Sequence, residues 1–491
     1  MGARLAPARS AALAVLGDIR RHQAHARDAL RNSTRLGKLS VQDVALVERL
    51  VLGVSATLGL LDKLYGAYLS KKSSLEPRVR DALRLATFEL CYLSTPQAVA
   101  VSQGVELVRS VAPRAAGLAN AVLRKVGSIE ADRITKAREE LSSRYLSEKN
   151  GSGDTDSAPE QALSLVAGWP VWLTRRIVQS VGFSAAYKMA CCTLDAAPLW
   201  VSGNTALHTA EQTQELLCSL GLEPLNTPLP DVFRLSSAAG LGRSGLVSSG
   251  DLVVSDLSAR LIVLLASPRP GSHVLEIGQG RGTKTLLLEA AASQRGGPAT
   301  IVGVDKIPFK VRVAEKRLRS WQPYVTCLKA DACALLGPVA GLPAPDREDG
   351  LFDEVFVDVP CSGTGTLRRH PEIAWSLSED ALDPHNTHSL PVLQQSILRA
   401  AATRVRAGGI LVYSTCSVLK EECEDVVQAF LNEQRDKFVL IPADEAAQQL
   451  PDDVQTMILR AVTPDGMFAS RPAEEGPDGH FCALFQNIEK K

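Results

Sequence analysis

The stretch Val274-Leu-Glu-Ile-Gly-Gln-Gly-Arg-Gly-Thr-Lys-Thr285 decides the fold of the C-terminal half of the chain. A short apolar run ends at Ile277 and passes into a turn with three glycines, after which Thr283 opens a helix-like segment. Glycine lets a backbone turn tightly and approach a ligand closely. The stretch therefore predicts a strand, a turn and a helix of an α/β sheet, with a ligand site at the turn.

Short apolar runs recur downstream, at intervals that leave room for a helix between them. Such runs predict βαβ units and a mostly parallel sheet. The predicted strands are 273–277, 300–304, 324–328, 354–358 and 410–413. A last apolar run over 480–486 predicts a terminal edge strand.

Acidic residues stand at the ends of four predicted strands, namely Glu276, Asp305, Asp331 and Asp358. Ligands of open α/β sheets bind at the carboxyl ends of the strands, where an acid can meet a ribose hydroxyl. A dinucleotide site needs Gly-x-Gly-x-x-Gly, whereas this turn reads Gly-x-Gly-x-Gly. The pattern favours a nucleoside such as S-adenosylmethionine over NAD, and so disfavours an oxidoreductase. The alternative is that the glycines only form a turn and the acids only cap helices.

Two cysteines follow neighbouring predicted strands. Cys361 comes after the fourth strand, and Cys416 comes after the fifth, in Ile410-Leu-Val-Tyr-Ser-Thr-Cys-Ser417. In a parallel sheet both loops emerge on the ligand edge. A single cysteine is usually a small buried hydrophobic residue, but both of these lie in polar loops.

Two thiols beside a methyl donor suggest a particular reaction. Carbon 5 of a pyrimidine is a poor nucleophile, and a thiolate that adds to carbon 6 makes it reactive, which is covalent catalysis. The thiol must be partly ionised. Asp358 is placed to hold the cytosine N3/N4 edge. Without the thiols, its loop would suit methylation of an exocyclic nitrogen instead.

Charge is unevenly distributed over a chain of 491 residues whose formal net charge is zero. Residues 1–130 hold 19 basic and 10 acidic residues, and the remainder holds 35 basic and 44 acidic residues. The basic front suggests an anionic partner, although a solvated charged surface explains it equally well.

The ten cysteines are dispersed and form no Cys-x-x-Cys pair, so we expect neither a zinc site nor a disulfide scaffold. This favours a reducing cytoplasm. No apolar run of ~18 residues is present, so no membrane span is expected. We expect a cytoplasmic monomer without a metal.

Four segments follow from the pattern of the chain. Residues 1–128 have apolar residues at helical spacing, which predicts six or seven short helices. Residues 129–164 predict a connecting helix and a flexible Gly/Ser-rich linker. Residues 165–250 predict a small α+β module, and residues 251–491 the α/β domain.

The motifs together resemble the RNA 5-methylcytosine methyltransferases of the RsmB/Sun (Fmu) and NOL/NOP superfamily. Asp358-Val-Pro-Cys-Ser-Gly-Thr-Gly365 and Tyr413-Ser-Thr-Cys-Ser417 are similar to its fourth and sixth motifs, and Asp478-Gly-His-Phe-Cys-Ala-Leu484 to its last strand motif. Val101-Ser-Gln-Gly-Val-Glu-Leu-Val-Arg109 and Gly117-Leu-Ala-Asn-Ala-Val-Leu-Arg-Lys125 resemble the last helices of a NusB-type RNA-binding domain.

This resemblance implies three parts: an all-α NusB-like N-terminal domain, a small α+β RNA-binding module, and a C-terminal Rossmann-like class I methyltransferase domain. It implies S-adenosylmethionine-dependent methylation of cytosine C5 in small-subunit (16S) rRNA. By the resemblance Cys416 is the nucleophile, Cys361 assists product release and Asp358 faces base and cofactor. The implied cofactor residues are Glu276, Gly278, Gln279, Gly280, Arg281, Gly282, Thr283, Lys284, Asp305, Asp331 and Asp358.

The first motif departs from the family pattern Asp-x-Cys-Ala-Ala-Pro-Gly-Gly-Lys-Thr. Only Gly282, Lys284 and Thr285 are kept. The alternative function is therefore an RNA-binding or antitermination-type factor with a decayed catalytic domain. The intact Cys361, Cys416 and Asp358 argue against that alternative.

Overall fold

The computed structural model of the chain describes residues 5–69, 75–149, 159–321 and 323–489. Residues 150–158 of the predicted linker lie outside these ranges.

The described residues contain α-helices from Pro7 to Leu459. They are α1 Pro7–His22, α2 Ala26–Arg31, α3 Val41–Gly66, α4 Pro77–Tyr92, α5 Gln97–Val111, α6 Ala116–Lys125, α7 Ala131–Lys149, α8 Glu160–Ala167, α9 Val171–Cys192, α10 Ala210–Ser219, α11 Leu246–Ser249, α12 Leu257–Ala266, α13 Thr283–Gln294, α14 Pro308–Arg317, α15 Ile373–Ser376, α16 Leu390–Ala402, α17 Glu424–Gln434, α18 Ala443–Ala447 and α19 Asp452–Leu459. Helix α9 is kinked at Gly182, where φ is 76°.

The strands form two sheets. They are β1 Leu199–Gly203, β2 Leu225–Asn226, β3 Val232–Leu235, β4 Leu252–Val254, β5 His273–Ile277, β6 Thr300–Asp305, β7 Val325–Lys329, β8 Phe352–Asp358, β9 Val405–Thr415, β10 Phe438–Ile441, β11 Phe468–Ala469 and β12 Phe481–Asn487. The first four strands form an antiparallel sheet in the order β2-β3-β1-β4.

The chain divides into two compact units. We call Met1–Ala196 with Thr366–Glu379 the helical unit, and Ala197–Gly365 with Asp380–Lys491 the sheet unit. This boundary at Ala197 differs from the limits 165–250 that the sequence suggests for the middle module. The physical reason is that α8 and α9 pack against each other and against α7.

The core of the helical unit explains its sequence pattern. Ser40 caps α3 by accepting a hydrogen bond from the Asp43 N–H. Within the described residues, α3 alone is long and apolar enough to cross a membrane, but Val47, Leu50 and Leu61 on this helix are buried in the helical core. Helix α3 is thus explained as a core helix.

The large sheet has the order β10-β12-β9-β8-β5-β6-β7, and β11 pairs with β12. Strands β7, β6, β5, β8 and β9 are parallel, whereas β12 is antiparallel to both β9 and β10. The expectation of a terminal edge strand is therefore wrong, because β12 pairs on both sides. Strand β10, which the sequence analysis did not predict, forms this edge instead.

Helices cover both faces of the parallel strands. Along β5, Val274 belongs to one core and Leu275 to the other, and Phe356 and Val357 of β8 divide in the same way. Burial on both faces is typical of parallel sheets and explains the continuous apolar runs in the sequence. The carboxyl ends of these strands lie along one edge, which brings the loops after β5, β8 and β9 together.

Candidate active site

Glycines allow the loops of this sheet edge to approach one another. Gly278, directly after β5, has φ 82°, and a Cβ added to it would lie 2.1 Å from the carbonyl oxygen of Asp358. Gly365 closes the loop after β8, and its N–H donates to the Cys416 carbonyl at 2.9 Å. A side chain at either position would separate the loops.

The two cysteines predicted from the sequence lie side by side. Their Sγ atoms are 3.0 Å apart, and both residues are half-buried. The hydrogen bond with Cys416, burial of the thiol and the Cys416 charge together raise the pKa of Cys361 well above its usual range. The raised pKa favours the protonated form of Cys361, and the distance between the two Sγ atoms is short enough for an S–H hydrogen bond between them.

Asp358 ends β8 beside these thiols and is held by two side chains. Lys284 Nζ lies 2.6 Å from Asp358 Oδ2, and Ser414 Oγ donates to Asp358 Oδ1 at 3.2 Å. Burial acts to lower the pKa of Lys284, but the neighbouring Asp358 carboxylate overcomes it and the pKa is raised. Lys284 therefore remains charged beside Asp358.

Glu276 and Gln279 point into the protein rather than toward the sheet edge. Glu276 is fully buried and accepts from the Thr285 hydroxyl at 2.5 Å, while Gln279 Nε2 donates to the same hydroxyl at 3.3 Å. A Cβ on Gly303 of β6 would lie 2.0 Å from Gln279 Nε2, so the amide fills the space above that strand. The two buried side chains thus support the glycine turn through their shared contact with Thr285.

The acids of the next two strands differ in their surroundings. Asp305 Oδ2 accepts from the Gly280 N–H at 3.0 Å and Oδ1 from the Ile307 N–H at 2.8 Å, so this acid supports the glycine turn. Asp331 lies 2.8 Å from Lys306 Nζ, a hydrogen bond that lowers the pKa of Asp331.

The remaining residues of the turn contact α14 and the residue that follows it. The Thr283 hydroxyl accepts from Arg317 at 2.9 Å, and the guanidinium of Arg281 lies 6.0 Å from the centroid of the Phe309 ring. Gly282, with φ 76°, caps α13 where an added Cβ would lie 2.8 Å from Leu318. The structure thus brings Asp358, Lys284 and the two cysteines together, with Asp305 under the turn and Asp331 and Arg281 in separate contacts.

Comparison with known proteins gives the family. A model of the family "16S rRNA methyltransferase RsmB/F" matches residues 263–486, and a model of the NusB family matches residues 6–128. The ribosomal RNA small subunit methyltransferase B of Salmonella arizonae is 30% identical over 421 residues, which are 84% of this chain and 88% of that protein. The chain belongs to the RsmB/F family. The ribosomal RNA small subunit methyltransferase B of Salmonella typhi is 29% identical to this chain, again over 84% of this chain and 88% of that protein.

Solved structures agree with the fold of an RsmB/F protein. The crystal structure of PH0851 covers 99% of this chain and 100% of its own, with a TM-score of 0.70 and 20% identity. NSun6 from Pyrococcus horikoshii covers 66% of this chain and 100% of its own, with a TM-score of 0.52 and 16% identity. The resemblance and the fold class predicted from the sequence are both confirmed.

One residue of this RsmB/F site was not singled out from the sequence. Glu422 is fully buried and accepts hydrogen bonds from the loops of both cysteines. Its sequence signal is weak, because Glu421-Glu422 reads as an ordinary charged pair at the start of a helix. Only the folded chain identifies which carboxylate turns inward.

Proposed function

We propose that this chain transfers a methyl group from S-adenosyl-L-methionine to C5 of a cytosine in small-subunit rRNA, through a covalent bond between Cys416 and C6. The observation that carries the proposal is the pair of thiols of Cys361 and Cys416, 3.0 Å apart beside the Asp358–Lys284 ion pair. Membership of the RsmB/F family supports the reaction class and the RNA substrate.

The turn after β5 fits a nucleoside cofactor. Its three glycines have positive φ values, and the nearest atom to a Cβ added on Gly280 is 3.8 Å away, so a ligand could approach the backbone there. The residues proposed to hold it are Gly278 to Lys284, with Asp305 and Asp331 toward the ribose and base. When bound, S-adenosylmethionine would supply an electrophilic methyl group, and S-adenosylhomocysteine would leave with the electron pair of the broken methyl–sulfur bond as C5 takes up the methyl.

Cys416 is the proposed nucleophile. Its thiolate adds to C6, and the electron pair of the C5–C6 double bond moves toward C5 and the ring, which makes C5 nucleophilic. Asp358 is proposed to orient the cytosine through its N3/N4 edge. The Lys284 ammonium and the Ser414 hydroxyl fix that carboxylate, so it presents a defined direction to the base.

Cys361 is proposed to act in product release. After methylation the C5 proton leaves to solvent water, its bonding electrons re-form the C5–C6 double bond, and the C6–S bond breaks to return the Cys416 thiolate. A neutral Cys361 S–H that donates to the departing Sγ stabilises the charge that develops there. The raised pKa of Cys361 favours this neutral form.

The basic front of the chain fits an RNA substrate. Residues 6–128 match the NusB family, and residues 1–130 have a net charge of +9. Phosphate contacts from such a surface give affinity that does not depend on sequence. The choice of one cytosine then falls to the active site and its loops.

The test is transfer of labelled methyl from S-adenosylmethionine to small-subunit rRNA by the wild type, Cys416→Ala and Cys361→Ala, with denaturing gels alongside. We expect activity in the wild type and none in Cys416→Ala. Cys361→Ala should accumulate a covalent protein–RNA band, because addition to C6 is intact while release is slowed.

The control is the Salmonella arizonae relative on the same RNA. If that enzyme methylates the RNA while the wild-type chain binds it without transfer, the chain is an RNA-binding factor and the proposed activity is wrong. If Cys416→Ala retains full transfer, the covalent route is wrong.

A further inference from the structure

A buried carboxylate joins the two cysteine loops. Glu422 has no exposed surface. It belongs to the loop between β9 and α17, which also contains Cys416, and its side chain contacts the loop after β8. Burying an ionised carboxylate is costly unless several hydrogen bonds compensate for the lost water. The partners of Glu422 therefore indicate what this charge holds together.

Its first set of bonds belongs to the Cys361 loop. The Ser362 N–H donates to Glu422 Oε1 at 2.8 Å, and the Ser362 hydroxyl donates to Oε2 at 2.5 Å. Ser362 directly follows Cys361, so these two bonds fix the backbone and the side chain of the residue next to the thiol.

Its second set belongs to the Cys416 loop. The Ser417 hydroxyl, on the residue directly after Cys416, donates to Glu422 Oε2 at 2.6 Å. The Ser362 and Ser417 hydroxyls thus converge on one oxygen atom. Thr364 completes the link, because its hydroxyl lies 3.1 Å from each of those two hydroxyls.

Two further residues hold Glu422 in place, one at its carboxylate and one at its backbone. Gln394 on α16 donates from Nε2 to Glu422 Oε1 and to the Pro360 carbonyl, both at 2.9 Å. The Tyr413 hydroxyl on β9 donates to the Glu422 carbonyl at 2.7 Å. Helix α16 therefore fixes the carboxylate, and β9 fixes the backbone carbonyl of the same residue.

We infer that Glu422 is a positioning residue, which keeps the Cys361 and Cys416 thiols adjacent and thereby sets how readily the covalent RNA adduct is released. The inference rests on the proposed function, because it assumes the two cysteine roles. Glu422 contacts neither thiol by a hydrogen bond in the described structure and acts through Ser362 and Ser417.

Glu422 also affects Cys361 electrostatically, in addition to positioning its loop. After the hydrogen bond to Cys416, burial and the Cys416 charge, the Glu422 carboxylate is a further cause that raises the pKa of Cys361. Its loss would therefore remove both a tie between the loops and part of the bias that keeps Cys361 protonated.

The test measures a ratio that does not depend on how much enzyme is folded. In a single turnover with labelled rRNA, the amount of covalent adduct and the amount of released methylated product are measured, and their ratio is compared. The chains compared are the wild type, Glu422→Gln, Glu422→Ala and Cys361→Ala. Glu289→Gln is the matched control, because Glu289 is also buried and, among the described residues, its carboxylate bonds to Ser293 and to the Ala299 N–H, neither of which belongs to a cysteine loop.

We expect Glu422→Ala to raise the adduct-to-product ratio about tenfold, because loss of a single hydrogen bond to a charged group can change an equilibrium by that factor. Glu422→Gln should lie between the wild type and Glu422→Ala, because the Ser362 and Ser417 hydroxyls can rotate to accept from an amide. Glu289→Gln should match the wild type. If Glu422→Ala does not fold, the Gln variant carries the comparison.

A ratio in both Glu422 variants equal to that of the wild type, with lower total product, would mean that Glu422 only supports folding, and the inference would be wrong. Failure of the proposed function gives different patterns. If the covalent route is wrong, Cys361→Ala accumulates no adduct and Cys416→Ala still methylates the RNA; if the chain is not a methyltransferase, the wild type gives neither adduct nor methylated product.

Discussion

A buried acid under the glycine turn shows how a single residue can link stability to pH. Glu276 has no exposed surface, and its Oε1 has no hydrogen-bond partner within the described residues. Burial raises the pKa of Glu276 from its ordinary 4.5 to about 8, although the Thr285 hydroxyl and the charge of Lys284 oppose the shift. The folded chain therefore holds this group protonated over a range where the unfolded chain ionises it.

Glu276→Gln should make the chain less sensitive to alkaline pH. Folding disfavours the ionised form, so the contribution of Glu276 to stability falls as the pH rises from about 4.5 to about 8 and is constant above that. The amide does not ionise, so at pH 8.5 the variant should be more stable than the wild type by ~2–5 kcal/mol, at ~1.4 kcal/mol per pKa unit.

The measurement is chemical denaturation of both chains at pH 6.0 and 8.5. Glu348→Gln, at an exposed position, serves as the control and should follow the wild type. An equal loss of stability in the wild type and Glu276→Gln over this pH interval would contradict the burial argument.

The sequence could predict the thiols at residue scale but not their support. Parallel strands end at one edge, so two cysteines that follow adjacent strands had to lie near each other, and the Sγ atoms are 3.0 Å apart. Ser417 is near Glu422 along the chain, but the inward turn of Glu422 also depends on Ser362 and Gln394, which are 60 and 28 residues away. No local pattern distinguishes Glu422 from the neighbouring Glu421.

At the scale of the element, the turn between β5 and α13 contains glycines with different tasks. Gly278 and Gly280 both have positive φ, 82° and 61°. A Cβ on Gly278 would meet the Asp358 carbonyl oxygen at 2.1 Å, whereas the nearest atom to one on Gly280 is 3.8 Å away. Comparison of the two alanine variants therefore separates backbone strain from a clash between loops.

Gly278→Ala should destabilise the cofactor-free chain more than Gly280→Ala. Both variants carry the left-handed backbone penalty of ~1–2 kcal/mol, and Gly278→Ala adds an overpacking cost of ~1–3 kcal/mol. Chemical denaturation without cofactor measures the difference. Equal stabilities for the two variants would show that the Asp358 loop moves aside freely.

The strands of the parallel sheet could be predicted because each is a short apolar run between helices. Strand β5 has the predicted bounds, and β9 extends further than predicted in both directions. Strand β10 was missed because it has only four residues, of which Val439 is exposed. The interior position of β12 depends on pairing with β9 and β10, which the composition of β12 does not specify.

At the scale of the whole molecule, the chain changes unit directly after the Cys361 loop. Residues Thr366–Glu379 belong to the helical unit, although the sequence places them inside the methyltransferase region. Arg27 Nε donates to the Arg369 carbonyl at 2.6 Å, and the Trp375 indole N–H donates to the carbonyls of Ala56 and Gly168, both at 2.9 Å. Sequence could not predict this, because every one of these partners is at least 200 residues away along the chain.

Trp375→Ala should loosen α3 within the helical unit. A Cβ on Gly59 of α3 would lie 2.2 Å from the Trp375 ring, so that glycine leaves a slot which the indole fills. Replacing a large aromatic residue by alanine costs ~3–5 kcal/mol when it is fully buried, and Trp375 is only half-buried, so a loss toward the lower end is expected. Amides of α3 near Gly59 should exchange with solvent deuterium faster, while those of β5 should not change.

Trp375→Phe separates the two contributions of the indole, because phenylalanine keeps a ring in the slot but has no N–H for the Ala56 and Gly168 carbonyls. Exchange in α3 should then be intermediate between the wild type and Trp375→Ala. Unchanged α3 exchange in Trp375→Ala would mean that residues 366–379 rest on the helical unit without stabilising it. Faster exchange would mean that a segment inside the methyltransferase sequence is part of the helical core.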